Sequence, residues 1–298
     1  MKENQKIELE TLNGRLVGDY YDSPSRKGII LFPGMAENRY FLEDTARALN
    51  KEFKTWVFDL SSQGESSGNW DLKEIARSVI DVQKYARQRY SLSKVGAFGH
   101  SLGGTAVGIA AANSSESLDC LCLSTAPAGI QDHLPGIGKM LLNTVPQSLV
   151  RLGSIALDKY QYWDSENYRN KVHPQFNKNG NYQSYAQFGA LKVPDAKKIV
   201  EWISNAPRLD DVAGKLTQPV LMLHAQNDII LGIKNGELPY NIGQTFVKIG
   251  SKDKRMIVVK GADHWMNKST KPGDCYNNSP EYQFVKDLTF EHFASRML

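Results

Sequence analysis

The sequence predicts an α/β fold, with a mostly parallel central sheet flanked by helices and a mainly helical cap inserted after the sixth strand. Three observations carry this prediction. Short apolar runs alternate with helical patterns along much of the chain, as in parallel sheets covered on both faces. A hairpin pattern precedes them. The alternation stops between residues 126 and 206 and then resumes.

The composition is that of an ordinary globular protein. Of 298 residues, 41% are hydrophobic and 23% are charged, and 36 Lys and Arg against 32 Asp and Glu leave a net charge of +4. No long basic block favours nucleic acid binding. No apolar run of about 18 residues predicts a membrane span, and the polar start does not resemble a secretory signal.

The three cysteines favour reduced thiols and a cytoplasmic location, because their number is odd and their spacing forms no disulfide framework. Cys120 and Cys122 lie one residue apart in an apolar run, so we expect both to point into the core from one face of a strand. Cys275 stands alone. We expect no metal site.

The chain begins with a predicted hairpin. Residues 7–12 and 15–20 alternate apolar and polar side chains. Asn13-Gly14 lies between them, a pair that supplies the positive φ angles of a type I′ turn.

The remaining strands and helices follow from apolar runs and from helical spacing. The clearest helix covers residues 71–90, where apolar side chains recur every three or four positions. Strands are predicted at 28–32, 55–58, 94–98, 118–123, 220–224 and 256–259, and helices at 40–51, 71–90, 102–112 and 280–298.

The pattern divides the chain into a discontinuous core domain, residues 1–125 and 207–298, and an insertion, residues 126–206. The insertion is too long for a loop in a compact domain, and it is rich in Tyr, Asn and Gln. We therefore interpret it as a mainly helical cap.

One motif predicts a nucleophile on a sharp strand-to-helix turn, a nucleophile elbow. It fits G-x-S-x-G, with an apolar strand before it and a small-residue helix after it. Small residues are needed two positions either side of the serine, where the backbone is crowded. The alternative to a nucleophile is a glycine-rich turn whose only role is to pack a helix on a sheet. The motif reads Gly99-His100-Ser101-Leu102-Gly103-Gly104.

A serine hydroxyl needs a base, and folds with this elbow place the acid and then the histidine after the serine. His264 fits, on a loop just after the last predicted strand. We expect His100 to point away from the site and His224 and His292 to be structural. His133 and His173 precede the acid.

The acid should follow the end of an earlier strand, and Asp228 comes directly after the strand at 220–224. Its role would be to hold the imidazole tautomer and stabilise the imidazolium. Asp263 is the competitor, but an immediate neighbour cannot easily turn back onto the ring of His264. Asp210 and Asp211 precede the strand and fit a solvated or capping pair.

Two backbone amides should bind a developing oxyanion. One is the amide of Leu102, which follows the nucleophile. The other is the amide of Met35, in the loop after the strand at 28–32, although Pro33-Gly34 could also be only a tight turn. The segment at 59–66 is interpreted as a structural turn without chemistry.

The order of these motifs resembles the α/β-hydrolase superfamily, and most of all its branch of monoacylglycerol lipases, lysophospholipases, carboxylesterases and serine aminopeptidase-like enzymes. The resemblance covers residues 7–123 and 209–298. Two departures leave the subfamily open: Pro33 stands where the family usually has histidine, and Ser61-Ser62-Gln63-Gly64 where it often has Arg-Gly-His-Gly.

The resemblance implies a serine hydrolase that cleaves a carboxylic ester without a cofactor, through an acyl-enzyme on Ser101. The ester would carry a small or aromatic acyl group, with a lipid-like group as a further option. Aromatic residues of the insertion, among them Tyr160, Trp163 and Tyr182, fit an aromatic or mixed-polarity acyl group, or simply a cap packed onto the core. Acyl transfer, thioester hydrolysis and amide cleavage remain alternatives, as does a non-catalytic ligand-binding protein. The partner would be a small ester, and the oligomeric state is open, with a homodimer as one option.

Overall fold

The computed structural model describes residues 4–35, 37–69, 71–114, 118–133, 203–228, 230–266 and 279–298. Their strands form one eight-stranded sheet in the order β1-β2-β4-β3-β5-β6-β7-β8. The strands are β1 Gln5–Thr11, β2 Gly14–Tyr21, β3 Lys27–Phe32, β4 Lys54–Phe58, β5 Lys94–His100, β6 Cys120–Ser124, β7 Val220–Ala225 and β8 Lys254–Val259.

The sheet is mostly parallel, as predicted. Only β2 pairs antiparallel, with β1 on one side and β4 on the other, and every pairing from β4 to β8 is parallel. Each strand predicted from an apolar run is present within two residues of its expected bounds. The carboxyl ends of β3 to β8 therefore share one edge, where open α/β sheets bind ligands.

Helices cover both faces of the sheet. They are α1 Glu43–Leu49, α2 Leu72–Arg89, α3 Leu102–Asn113, α4 Leu209–Val212, α5 Tyr240–Lys248 and α6 Pro280–Met297, with short 3-10 turns at Arg39–Leu42, Ile130–His133 and Ala213–Lys215. The sequence did not predict α5, whose buried side chains are few. No helix in these parts of the chain is long and apolar enough to cross a membrane.

Strand alternation sends side chains into two separate cores. Ile30 and Ala97 pack with α2 and α3 on one face. Ile29 and Phe98 pack with α1 and α6 on the other. Cys120 and Cys122 are free and buried in this second core, as predicted.

The hairpin prediction was right in its strands and wrong in its turn. Thr11 pairs with Gly14, so the turn residues are Leu12 and Asn13. Neither has a positive φ, whereas Gly14 has φ 122°. The turn lies one residue earlier than predicted because the register of the β1–β2 pairing determines its position, and the Asn-Gly pair does not.

Residues 134–202, most of the predicted cap, lie outside the described residues, as does Cys275. The helical cap and the domain boundaries therefore stay predictions. The described ends of this stretch meet on the core: Arg208 makes a two-pronged ion pair with Asp132, with both N–O distances 2.7 Å.

Candidate active site

Ser101 occupies the predicted sharp turn between β5 and α3. Its φ of 50° and ψ of −119° are rare for a residue other than glycine, and such strain is characteristic of functional sites. The turn is held from below, because the Ser101 amide donates to the carbonyl of Ser124 at 2.7 Å. Strand β6 thus fixes the position of the serine.

The glycines of the motif are required by close backbone contacts. A Cβ on Gly99 would lie 2.4 Å from the carbonyl oxygen of Gly103, and a Cβ on Gly103 would lie 2.4 Å from the carbonyl oxygens of Phe32 and Pro33. A Cβ on Gly104 would also be too close, at 2.8 Å from Ala126 Cβ. The nucleophile elbow therefore packs directly on the loop that follows β3.

The structure brings Ser101, His264 and Asp228 together in one hydrogen-bonded chain. His264 Nε2 lies 3.0 Å from Ser101 Oγ, and His264 Nδ1 lies 2.8 Å from Asp228 Oδ2. The three residues follow β5, β8 and β7, at the shared carboxyl edge of the sheet. Both the histidine and the aspartate are buried.

Asp228 is held as a carboxylate. Its Oδ1 accepts the amides of Ile230 and Leu231 at 3.0 and 2.9 Å. Burial alone would raise the pKa of this carboxyl, but the hydrogen bond and charge of His264 and the Leu231 amide outweigh burial and hold the pKa below its usual range. A charged acceptor at Nδ1 leaves the lone pair of Nε2 facing Ser101.

The competing acid does not bond to the ring. The Asp263 carboxylate accepts the amide of Trp265 at 3.0 Å, which is a local turn contact. Asp210 pairs with Arg208, in keeping with the structural interpretation.

The other histidine candidates have structural positions. His224 is buried within β7. His292 lies in α6 and its Nε2 donates to the carbonyl of Leu121 at 2.9 Å. Burial lowers the pKa of His292 to about 4. Nothing is described for His173 or for the side chain of His133.

The expectation that His100 points away from the site was wrong. Its buried ring lies 5.3 Å from the ring of His264, centroid to centroid, and 4.9 Å from that of Phe41. The reason is the alternation of β5, which puts residue 100 on the same face as Phe98. At the carboxyl edge, the loop carrying His264 covers that face.

The two amides predicted as oxyanion donors lie in suitable places. Met35 is in the loop against which the elbow packs, and Leu102 is the first residue of α3. The neighbouring amides are already used, since Gly34 donates to Glu37 and Ser101 to Ser124. Within the described parts of the chain, the Met35 and Leu102 amides donate no hydrogen bond.

Two residues that support this loop were not predicted from the sequence. Glu37 accepts the amide of Gly34, and Gln63 Nε2 donates to the carbonyl of Gly34 at 3.1 Å. Both side chains are buried. Gln63 belongs to the segment interpreted as a structural turn, which also contains Asp59, paired with the buried Arg39 at 2.6 Å.

A family model described as the alpha/beta hydrolase fold matches residues 28–269. Among similar solved structures is a Pyrococcus furiosus esterase, with 13% identity over 99% of this chain and 92% of that chain and a TM-score of 0.66. A Paleococcus ferrophilus monoacylglycerol lipase has 19% identity over 94% of this chain and 99% of that chain, with a TM-score of 0.61. Est1E from Butyrivibrio proteoclasticus with ferulic acid bound has 15% identity over 98% of each chain, with a TM-score of 0.60. A search of the curated proteins gave no match. The three structures share the fold of this chain, and the family match shows that this chain belongs to the α/β-hydrolase fold family.

Proposed function

We propose that this protein is a serine hydrolase that cleaves carboxylic esters through an acyl-enzyme on Ser101. The observation that carries the proposal is the continuous hydrogen-bonded chain from Asp228 through His264 to a serine held at positive φ. A buried base next to a strained, solvent-accessible hydroxyl is the arrangement that nucleophilic catalysis requires.

In the first half of the reaction, Ser101 Oγ attacks the ester carbonyl while His264 Nε2 takes the hydroxyl proton. The negative charge that develops on the carbonyl oxygen is stabilised by the amides of Met35 and Leu102, which have no other acceptor among the described residues. Asp228 stabilises the imidazolium. His264 then protonates the leaving alcohol, and the acyl group stays on Ser101.

In the second half, His264 removes a proton from water, which attacks the acyl-enzyme and releases the carboxylic acid. The same amides bind the second oxyanion. As the acid leaves, His264 gives the proton taken from water to Ser101 Oγ, which replaces the proton that left with the alcohol. The cycle thus consumes one water per ester and needs no cofactor.

Two exposed apolar side chains support an apolar or aromatic acyl group. Met35 is 45% exposed in the loop at residues 33–38 that follows β3, which we call the oxyanion loop, and Ile230 is 44% exposed two residues after Asp228. Large apolar groups exposed in loops that carry site residues offer a binding surface for acyl chains or rings. The names of the similar structures, an esterase, a lipase and a ferulic acid complex, agree with this proposal.

The experiment is labelling by a fluorophosphonate probe together with hydrolysis of short and aromatic p-nitrophenyl esters. The wild type should be labelled and should turn over esters, and Ser101→Ala and His264→Ala should lose both. Ser93→Ala, at an exposed loop serine, is the matched control and should behave as the wild type. A folded wild type that neither reacts with the probe nor hydrolyses any ester would favour the ligand-binding alternative.

A further inference from the structure

A second carboxylate and histidine lie buried directly behind the nucleophile. Glu37 Oε1 is 3.3 Å from His100 Nε2, and the two side chains are almost fully buried. On its far side, the His100 ring meets Thr125, with Nδ1 3.2 Å from the hydroxyl oxygen. With Nδ1 accepting from that hydroxyl, Nε2 carries the proton and faces the carboxylate.

The approach of the two groups is close but not aligned as a hydrogen bond, and no other described atom bonds to His100 Nε2. Burying such polar groups costs free energy, so their retention calls for a reason. Thr125 adds to this cost, because its φ of 45° is rare for a β-branched residue.

The sequence positions of the pair point to that reason. Glu37 holds the amide of Gly34, the residue before Met35. His100 is the residue before Ser101 and two before Leu102. The contact between Glu37 and His100 thus joins the two backbone segments that carry the proposed oxyanion donors.

We propose that Glu37 is a positioning residue that, through His100, sets the spacing of the Met35 and Leu102 amides for the transition state. This inference rests on the proposed function. Because the Gly34 amide is already bonded to Glu37, the next amide along the loop is left for the substrate oxygen. Because the same carboxylate contacts His100, the loop moves only together with the elbow.

The geometry explains why a carboxylate, with two oxygens, occupies position 37. Oε2 takes the Gly34 amide while Oε1 faces the imidazole. Gln63 holds the carbonyl of Gly34 from another side. Gly34 itself has no room for a side chain, since a Cβ there would lie 2.8 Å from Glu37 Oε2 and 3.0 Å from Ser101 Cβ.

The test compares Glu37→Leu with Glu37→Gln in the full-length protein. Leu has no acceptor for the Gly34 amide, so kcat should fall about 10–100-fold with KM within about twofold, since one oxyanion donor is worth about 100–1000-fold. Gln keeps an acceptor for the amide, and its NH₂ can face His100 once the imidazole changes tautomer. It should restore kcat to within about tenfold of the wild type.

A readout specific for positioning is the affinity for a trifluoromethyl ketone, which forms a tetrahedral adduct with the serine. It should fall in Glu37→Leu by the same factor as kcat, while the affinity for the carboxylic acid product stays constant. The control is Glu43→Leu, which removes a buried carboxylate from α1 that pairs with Arg47. It should leave kcat and the ketone affinity unchanged.

His100→Phe keeps the ring packing and removes both nitrogens. If Glu37 acts through His100, the double variant Glu37→Leu/His100→Phe should lose less activity than the product of the two single losses. Two results would overturn the proposal: a Glu37→Leu enzyme with wild-type kcat, or losses that multiply independently. A wild type without hydrolase activity would instead reject the proposed function, so the two failures are distinguishable.

Discussion

Replacing Asp228 by Asn tests the proposed acid with almost no change in shape. The side chain is confined on both sides, with Oδ1 accepting two backbone amides and Oδ2 facing His264 Nδ1. An asparagine that keeps its oxygen on the two amides must turn its NH₂ group toward Nδ1. The imidazole then carries its proton on Nε2, where it can no longer accept the proton of Ser101.

The opposite orientation of the asparagine is also costly. It would set the NH₂ group against the amides of Ile230 and Leu231. The buried Leu231 amide without an acceptor costs about 1–3 kcal/mol, and the part-buried Ile230 amide adds to that cost. Both orientations therefore lead to a large loss. We expect kcat to fall about 10⁴-fold, the effect of the wrong tautomer in a serine triad, which is about 5.5 kcal/mol of barrier.

The assay is pre-steady-state release of p-nitrophenol, with unfolding in urea as a check on the fold. Asp263→Asn is the matched control, because its carboxylate bonds to the Trp265 amide and not to the ring. It should keep kcat within about threefold, well below the loss of one oxyanion donor. An Asp228→Asn enzyme with kcat within tenfold of the wild type would refute the assignment of the acid.

Three further predictions concern packing and buried charge. Gly103→Ala should lower kcat by more than about 100-fold by displacing an oxyanion donor. The control is Gly243→Ala in α5, where the added Cβ has no atom within 4 Å. It should keep kcat and raise the free energy of unfolding by about 0.5–1 kcal/mol. Arg39→Met should lower the free energy of unfolding in urea by about 3–5 kcal/mol by leaving buried carboxylates unpaired, and the exposed Arg77→Met by about 0–1 kcal/mol. In His292, the folded pKa of about 4 lies below the ordinary 6.5, so only the unfolded state binds the proton as pH falls below 6.5. The wild type should therefore lose roughly 2–3 kcal/mol by pH 4.5 that His292→Phe does not lose. Equal kcat in the two glycine variants, equal costs for the two arginines, or equal acid sensitivity would contradict the respective argument.

The sequence was sufficient to predict the sheet and the serine, histidine and aspartate that the structure joins. Each of these three residues follows an apolar strand, and parallel strands bring their carboxyl ends to one edge of the sheet. Local sequence patterns therefore predict that residues far apart in the chain lie close together. Ser101 and His264 are 163 positions apart, yet a hydrogen bond connects them. Their catalytic roles stay a prediction.

The residues that support the oxyanion loop could not be predicted in the same way. Gln63 donates a hydrogen bond to Gly34, which lies 29 positions earlier in the chain. The turn that contains Gln63 is rich in small and polar residues but has no sequence pattern that predicts this contact. The direction of His100 depends on which loop covers its face, and strand alternation alone does not specify that. Contacts of this kind are set by loop packing, which has no periodicity in the sequence.

The order of the strands has a consequence for the chain during its synthesis. β7 and β8 are the last strands to be synthesised and lie at one edge of the sheet, and the residues that follow them, Asp228 and His264, are made long after Ser101. Under the proposed function, a nascent chain that ends before β7 carries Ser101 without its proposed base and acid and should be inactive. In a refolding experiment, the rate at which ester hydrolysis returns would report the docking of β7 and β8. The rate at which Trp56 of β4 becomes buried would report the folding of the N-terminal part of the sheet.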